Sequence, residues 1–372
     1  MHAAPDDGAL KAFASSAQEE MAMRIGRRSV LKGLAAAGTA PFISHHAFGQ
    51  AAAGPSEAGQ IDIEKAKAEG KVVLYTSLDT KIVDAINAAF TKKYGIEVQY
   101  FRGGSSDVTG KVLAEADAGR SQADMVDASD VAGLMLMKER GLLKPFKTPA
   151  TGTIAKELRD PDGTWIADRL TQAVIQYNTK ELGSAPPKTW SDLAKLDGRL
   201  VYFSSPSGDG APRLYTLASN LSWDLLKQLA ATKPLRVQTP QIITQVLERG
   251  ERAAGFLQND NIAWRSKAQG KPTDYLFPAE GVPTEVGACG LLKNAARPHA
   301  AALYYEWWMG PEGQAILVDG GKYSSRTDVD PPKGSVPLSK IKLLAPNHVE
   351  YKKDKPKILD RLAATFGGEW GN

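Results

Sequence analysis

The strongest constraint on the fold is an alternation that recurs along the chain. A short apolar run is followed by a turn of small hydroxyl-bearing residues, then by a segment with apolar side chains at helical spacing. Val72-Val73-Leu74-Tyr75-Thr76 reads as a buried strand. Ser77-Leu78-Asp79-Thr80 follows as a turn and helix start, and Ile82, Val83, Ile86, Ala89 and Phe90 then form one apolar stripe that Tyr94-Gly95 ends. Glu97–Phe101 is a second strand, Arg102-Gly103-Gly104-Ser105-Ser106 a glycine-rich turn, and about 106–118 a polar helix. Ala123–Val126 reads as a third strand, and Ala128-Ser129-Asp130 leads into a helix over 131–140 that Gly141 stops. Strands separated by helices in this order require a mostly parallel sheet with helices on both faces.

The middle of the chain repeats the plan. Strands are expected at 173–177, 200–203, 253–257, 274–277 and 286–292, with helices near 212–220 and 240–249, the latter capped by Thr239 with Pro240 at its first position. Arg297-Pro298 opens a long amphipathic helix to about Met309, and Pro311 starts another. Tyr304-Tyr305 lies in the first of these beside Trp307-Trp308, and helical aromatics at this density are expected to fill a core.

Two such regions need a long chain, and 372 residues suit two lobes of ordinary size. A hydrophobic fraction of 42% and a charged fraction of 24% belong to an ordinary globular protein. The net charge is +4, without clustered basic runs and interleaved aromatics, which argues against nucleic acid as a partner. The lone Cys289 excludes an intrachain disulfide framework, an iron–sulfur cluster and a multi-cysteine zinc site. His299 and His348 sit in unrelated contexts, so no histidine metal centre and no cofactor are expected.

The N-terminal stretch reads as an address. Gly26-Arg27-Arg28-Ser29-Val30-Leu31-Lys32 precedes a weakly apolar run to Ile43, then Ala47-Phe48-Gly49 with small residues placed for cleavage after Gly49. The apolar run is too short for a stable membrane anchor. Arg27-Arg28 resembles the twin-arginine export signal, so residues 1–49 are expected to direct export to the periplasm, with 50–60 a flexible leader.

Polar residues gather where strands run into helices: Thr76, Ser77 and Asp79; Arg102 and Ser105; Ser129 and Asp130; Ser205, Ser207 and Asp209; Asn259, Asp260 and Asn261. In an open parallel sheet, ligands bind beyond the carboxyl ends of the strands. Helix N-termini there favour anions, and an arginine can grip a carboxylate or phosphate in two places. The same residue types are also the preferred helix caps, so each one taken singly is explained by capping. No P-loop follows the glycine-rich turn, and neither G-x-G-x-x-G after 72–76 nor a G-x-S-x-G elbow is present.

Several segments together resemble the periplasmic solute-binding proteins of ABC importers, in the cluster that binds ferric iron, thiamine, phosphonates and polyamines. They are Val72–Ser77, Phe90 with Tyr94–Val98, Gln122–Val126, Tyr177–Thr179, Lys188–Leu193, Arg297–Leu303 and Pro311–Gln314. The resemblance covers about residues 61–326. It implies the α/β, two-lobe type 2 periplasmic-binding-protein architecture, with a ligand cleft between lobes joined by crossing strands near 169–177 and 284–290. The lobes would be 61–170 with 287–326, and 175–284 with 335–372. It further implies a non-catalytic monomer that hands a small molecule or ion to the membrane subunits of an ABC importer. Tyr323 and Arg326 match a family segment near the cleft. Ferric binders of this family place a tyrosine pair on the second-lobe loop, yet Asn259-Asp260-Asn261-Ile262-Ala263-Trp264 has none. A small anionic organic or phosphorylated solute fits the Ser, Thr, Asn and Arg inventory. The alternatives are a ferric-ion binder using carboxylates such as Asp79, Asp130 and Asp260, and a twin-arginine-exported enzyme.

Overall fold

A computed structural model of the chain describes residues 61–372 other than 130, 148, 205–209, 345–347, 369 and 371–372. The export segment with Arg27 and Arg28, the leader, and the candidate residues Asp130, Ser205, Ser207 and Asp209 lie outside the described residues. Helix α1 (Ile63–Glu69) precedes strand β1 (Lys71–Thr76), and α2 (Thr80–Tyr94) links it to β2 (Glu97–Arg102). Then come α3 (Ser105–Asp117), β3 (Met125–Ala128), α4 (Val131–Glu139), the short β4 (Leu143–Lys144) and the long β5 (Ile166–Asn178). The second half holds α5 (Thr179–Leu182), β6 (Leu200–Phe203), α6 (Ala211–Asn220), α7 (Trp223–Ala231), β7 (Leu235–Val237), α8 (Pro240–Glu248), β8 (Ala254–Asn259) and α9 (Asp260–Ala268). The chain continues through β9 (Thr273–Leu276), β10 (Val282–Leu292), α10 (Pro298–Met309), α11 (Pro311–Asp319), β11 (Tyr323–Ser324), β12 (Leu343–Leu344) and α12 (His348–Phe366).

One continuous sheet runs β2-β1-β3-β10-β5-β8-β6-β7. β1 pairs in parallel with β2 and β3, and β6 in parallel with β7 and β8, as the alternation demands. β5 and β10 join the halves. Residues 166–172 of β5 pair with β10, whereas 173–178 pair with β8 and β9, so one strand belongs to both lobes. Among the described residues, no helix is long and apolar enough to cross a membrane.

Local chemistry explains where the sequence-based boundaries moved. β3 starts two residues later than expected. The buried Asp124 carboxylate, in place of a ladder carbonyl, accepts the Val73 N–H at 2.8 Å, and it also pairs with Arg297 at 2.8 Å. β5 begins seven residues before the expected 173 because Asp168, Arg169, Thr171 and Gln172 interrupt the apolar run yet are all buried. Asp260 is the first residue of α9, with Asn259 at the cap position. Tyr304 and Tyr305 fill the core as expected: Tyr304 packs edge-on against Phe90 and donates to the side-chain oxygen of Asn87, and Tyr305 packs against Phe146.

Candidate functional site

In the first lobe the ends of β1 and β3 meet β5 around a buried ion cluster that the sequence reading did not include. Arg169 stands on β5 with its guanidinium enclosed. One end donates to Asp127 and to both oxygens of Asp168, at 2.9 and 2.8 Å. The other end donates to the hydroxyls of Ser129 at 2.9 Å and Ser77 at 3.3 Å. Burial opposes the Arg169 charge, but Asp127 and Asp168 outweigh it and raise the pKa further. Burial, reinforced by Asp127, pushes Asp168 up to about 6 against the pull of Arg169. Room for the guanidinium comes from Gly287 on β10, where a Cβ would sit 2.6 Å from the Arg169 side chain and where the β5–β10 register shifts.

Around this anchor the three hydroxyl residues converge. The Ser129 N–H donates to Ser77 Oγ at 2.9 Å and to Ser105 Oγ at 3.1 Å, although these residues come from the ends of β1, β3 and the start of α3. The N-termini of α2, α3 and α4 lie just beyond the ends of β1, β2 and β3; Asp79 caps α2, and at α3 the Asp107 carboxylate accepts the Gly104 N–H at 3.0 Å. Backbone N–H groups in such positions suit an anion.

The second-lobe wall centres on the β8–α9 junction. Arg213 on α6 grips Glu285 of β10 through two bonds of 2.7 and 2.6 Å. It also donates to the Leu257 carbonyl at 3.2 Å and to the Asn259 side chain. Leu257 has φ +58°, a left-handed conformation that a leucine adopts only when its surroundings hold it there. The Gln258 amide pins the same turn, reaching Gln176 at 3.0 Å, Thr244 at 2.9 Å and the Pro240 carbonyl at 2.9 Å.

Just beyond this turn sit Asp260 and Asn261, both buried. Neither carboxylate oxygen of Asp260, nor the side-chain carbonyl of Asn261, has a hydrogen-bond partner among the described residues. On the crossing strand the buried Gln172 amide is likewise unpartnered at both ends. Native interiors seldom leave such groups unsatisfied, and each one costs stability unless something outside the chain completes it. Burial pushes Asp260 up to about 7, against Lys322, the nearby N–H groups of Asn261 and Gln172, and Arg213. Burial drives Lys322 down to about 8, opposed by Asp260, and its ammonium donates to Thr171 Oγ1 at 3.0 Å.

The remaining sequence candidates fall in different places. Thr76 is buried and turned inward: its hydroxyl donates to Asp127 at 2.5 Å and accepts the Leu78 N–H at 2.9 Å. Asp79 caps α2 through the Lys81 N–H at 3.1 Å and pairs with Arg265 at 2.8 Å. Arg102 is exposed at the end of β2, with a long 3.4 Å bond to the Leu78 carbonyl. The Tyr323 hydroxyl donates to the Val336 carbonyl at 2.6 Å and shares Ser335 with Tyr275. Arg326 pairs with Asp328 at 2.7 Å and donates to the Met309 carbonyl at 2.7 Å, a structural tie. Among the described residues, no three His, Cys, Asp or Glu side chains cluster closely enough to hold a metal ion.

The residues missed by sequence reasoning are Asp127, Asp168, Arg169, Gln172, Arg213, Glu285 and Lys322. The available signal was charge within apolar surroundings. Asp168-Arg169 interrupts Trp165-Ile166-Ala167 and Leu170, and Glu285 stands between Val282 and Val286. A charged side chain inside a strand-length apolar stretch is buried and must be paired.

Two half-sheets joined by crossing strands are the architecture of a type 2 periplasmic binding protein. The chain belongs to the bacterial extracellular solute-binding protein family, whose description it matches over residues 71–321. It is similar to the Fe(3+)-binding periplasmic protein of Serratia marcescens, at 23% identity over 265 residues, covering 68% of this chain and 78% of that one. Among solved structures it resembles the periplasmic binding protein AfuA of Actinobacillus pleuropneumoniae, solved with fructose-6-phosphate bound. The identity is 23%, with 80% of this chain and 98% of that one covered and a TM-score of 0.66. It resembles iron-bound HitA of Pseudomonas aeruginosa equally in fold, at 21% identity, 78% and 99% coverage and a TM-score of 0.66. The family is one of extracellular solute-binding proteins, and the alternative of an exported enzyme finds no support in these matches.

Proposed function

We propose that the chain, as a periplasmic monomer, captures a small anionic organic or phosphorylated solute between its lobes and delivers it to an ABC importer. The observation that supports a bound solute here is the set of buried, unpartnered acceptor oxygens on Asp260 and Asn261 at the β8–α9 junction, which call for hydroxyl or other donor groups on it. The hydroxyls of Ser77, Ser105 and Ser129 and the helix N-termini of the first lobe supply donors suited to an anion. Asp260, poised near neutrality beside Lys322, suits hydroxyl groups on the same solute.

The ferric alternative asks for hard anionic oxygens aimed at one point. Here Asp79 is tied to Arg265, and Asp260 lies beside the Lys322 ammonium. The hydroxyls of Tyr275 and Tyr323 are both hydrogen-bonded to Ser335. These features favour an anionic solute over a trivalent cation.

A thermal-shift panel checks this. Phosphorylated sugars, hydroxy acids and ferric citrate are each added to the purified mature chain. A solute at a hundred times its Kd is expected to stabilise the fold by about 2.7 kcal/mol, read as a higher melting temperature. Stabilisation by the phosphorylated or organic anions supports the proposal. A response to ferric iron alone contradicts it.

A further inference from the structure

Asp79 and Arg265 belong to opposite lobes. Asp79 stands at the end of β1 as the cap of α2, and Arg265 is on α9, beside the second-lobe wall. The two carboxylate oxygens of Asp79 divide the work. One accepts the Lys81 N–H at 3.1 Å and caps the helix, while the other accepts from Arg265 at 2.8 Å across the cleft.

The surroundings show that this bond sits in an organised seam. Residues four apart share a helix face. Asn261 and Arg265 therefore lie on one face of α9, and Asp260 and Trp264 on the next. The second face meets the segment that leaves α11. The Trp264 ring fills the space over Gly321, where a Cβ would approach it to 2.5 Å and where φ is +89°. The Trp264 indole N–H is fixed on the Lys333 carbonyl at 2.9 Å. Lys322, next in the chain, lies near enough to both Asp79 and Asp260 to act on each electrostatically. About three-quarters of each side chain in the Asp79–Arg265 pair is out of solvent, so water screens the pair less than it would an exposed one.

We propose that Asp79–Arg265 is an interlobe clasp: a direct ion pair between the lobes that favours the closed form and must break before solute can enter or leave. Asp79 then acts through lobe closure and not as a ligand contact. The clasp depends on the two-lobe fold and is independent of which solute is bound.

The test uses the mature chain without added solute. Small-angle X-ray scattering reports lobe opening, and amide hydrogen exchange reports local opening at 79–83 and 260–266. The variants are D79N, R265Q, their double and R265E. Asparagine caps helices as well as aspartate does, so D79N removes the charge and keeps the cap. D79N and R265Q are each expected to increase the radius of gyration and to speed exchange at the seam by up to about fivefold. The double is expected to match either single, since both remove the same bond, and R265E to open furthest because it sets a like charge against Asp79. Variants indistinguishable from the unmodified chain in both measurements, or a double more open than either single, would overturn the clasp.

Discussion

Replacing Arg169 with methionine is expected to cost about 3–5 kcal/mol of folding stability, measured by guanidinium denaturation at neutral pH. The guanidinium is the only cation bonded to Asp127 and Asp168 among the described residues, and all three side chains are enclosed. Methionine fills much of the volume but leaves two buried carboxylates without a counterion. Asp168 already lies at about 6 with Arg169 present, and it rises further when the arginine is gone. The sign with pH follows. A carboxylate whose pKa is raised by folding loses stability as pH climbs above its unfolded value near 4, so the deficit should be smallest in acid and grow towards neutrality. Lysine cannot substitute, because one ammonium lacks the fork that reaches both carboxylates and both serines. G287A, which pushes a Cβ into the same side chain, should reproduce part of the loss, about 1–3 kcal/mol. An R169M deficit under about 1 kcal/mol would show that the cluster is not what holds the first-lobe wall.

The second large effect is expected at Arg213. Changing it to leucine removes the two-point grip on Glu285, the donor to Leu257 at its left-handed φ, and the bond to Asn259. Glu285 keeps about a third of its side chain exposed and can be rehydrated, which moderates the cost. The expected loss is about 2–3 kcal/mol of stability. Binding should suffer as well, since the turn that aims Asp260 and Asn261 loses its brace. R213K should recover the charge but not the geometry, leaving affinity reduced even where stability returns in part. Unchanged unfolding in R213L would remove Arg213 from the brace.

How much of this was legible in the sequence depends on which physical signal each part leaves. The parallel half-sheets were legible because strands such as 72–76 and 200–203 are short apolar runs, and helices such as 80–94 carry one apolar stripe and a left-handed glycine stop at Gly95. The hydroxyl gathering was legible at Ser77, Ser105 and Ser129, because strand ends in such a sheet must converge. The crossing strand β5 was legible only in its apolar second half. Its first half carries charges that are tolerated in the interior only because Asp127, 42 residues away, and Ser129 and Ser77, 40 and 92 residues away, meet Arg169 there. Pairing across the sheet leaves no periodicity to read. For the same reason nothing local marked Arg169 as the centre of a buried cluster. The pairing of Asp79 with Arg265, 186 residues on, had no local mark at all.

Native mass spectrometry of the protein taken from its own periplasm tests most directly whether it holds a small anionic solute. The expected spectrum shows one organic or phosphorylated anion per mature chain, lost on harsher activation. Asp260→Asn should carry less of the same mass, because the neutral amide cannot replace the carboxylate's two acceptors. A chain that carries ferric iron without an organic adduct, or that emerges bare under the gentlest ionisation, would contradict the proposal.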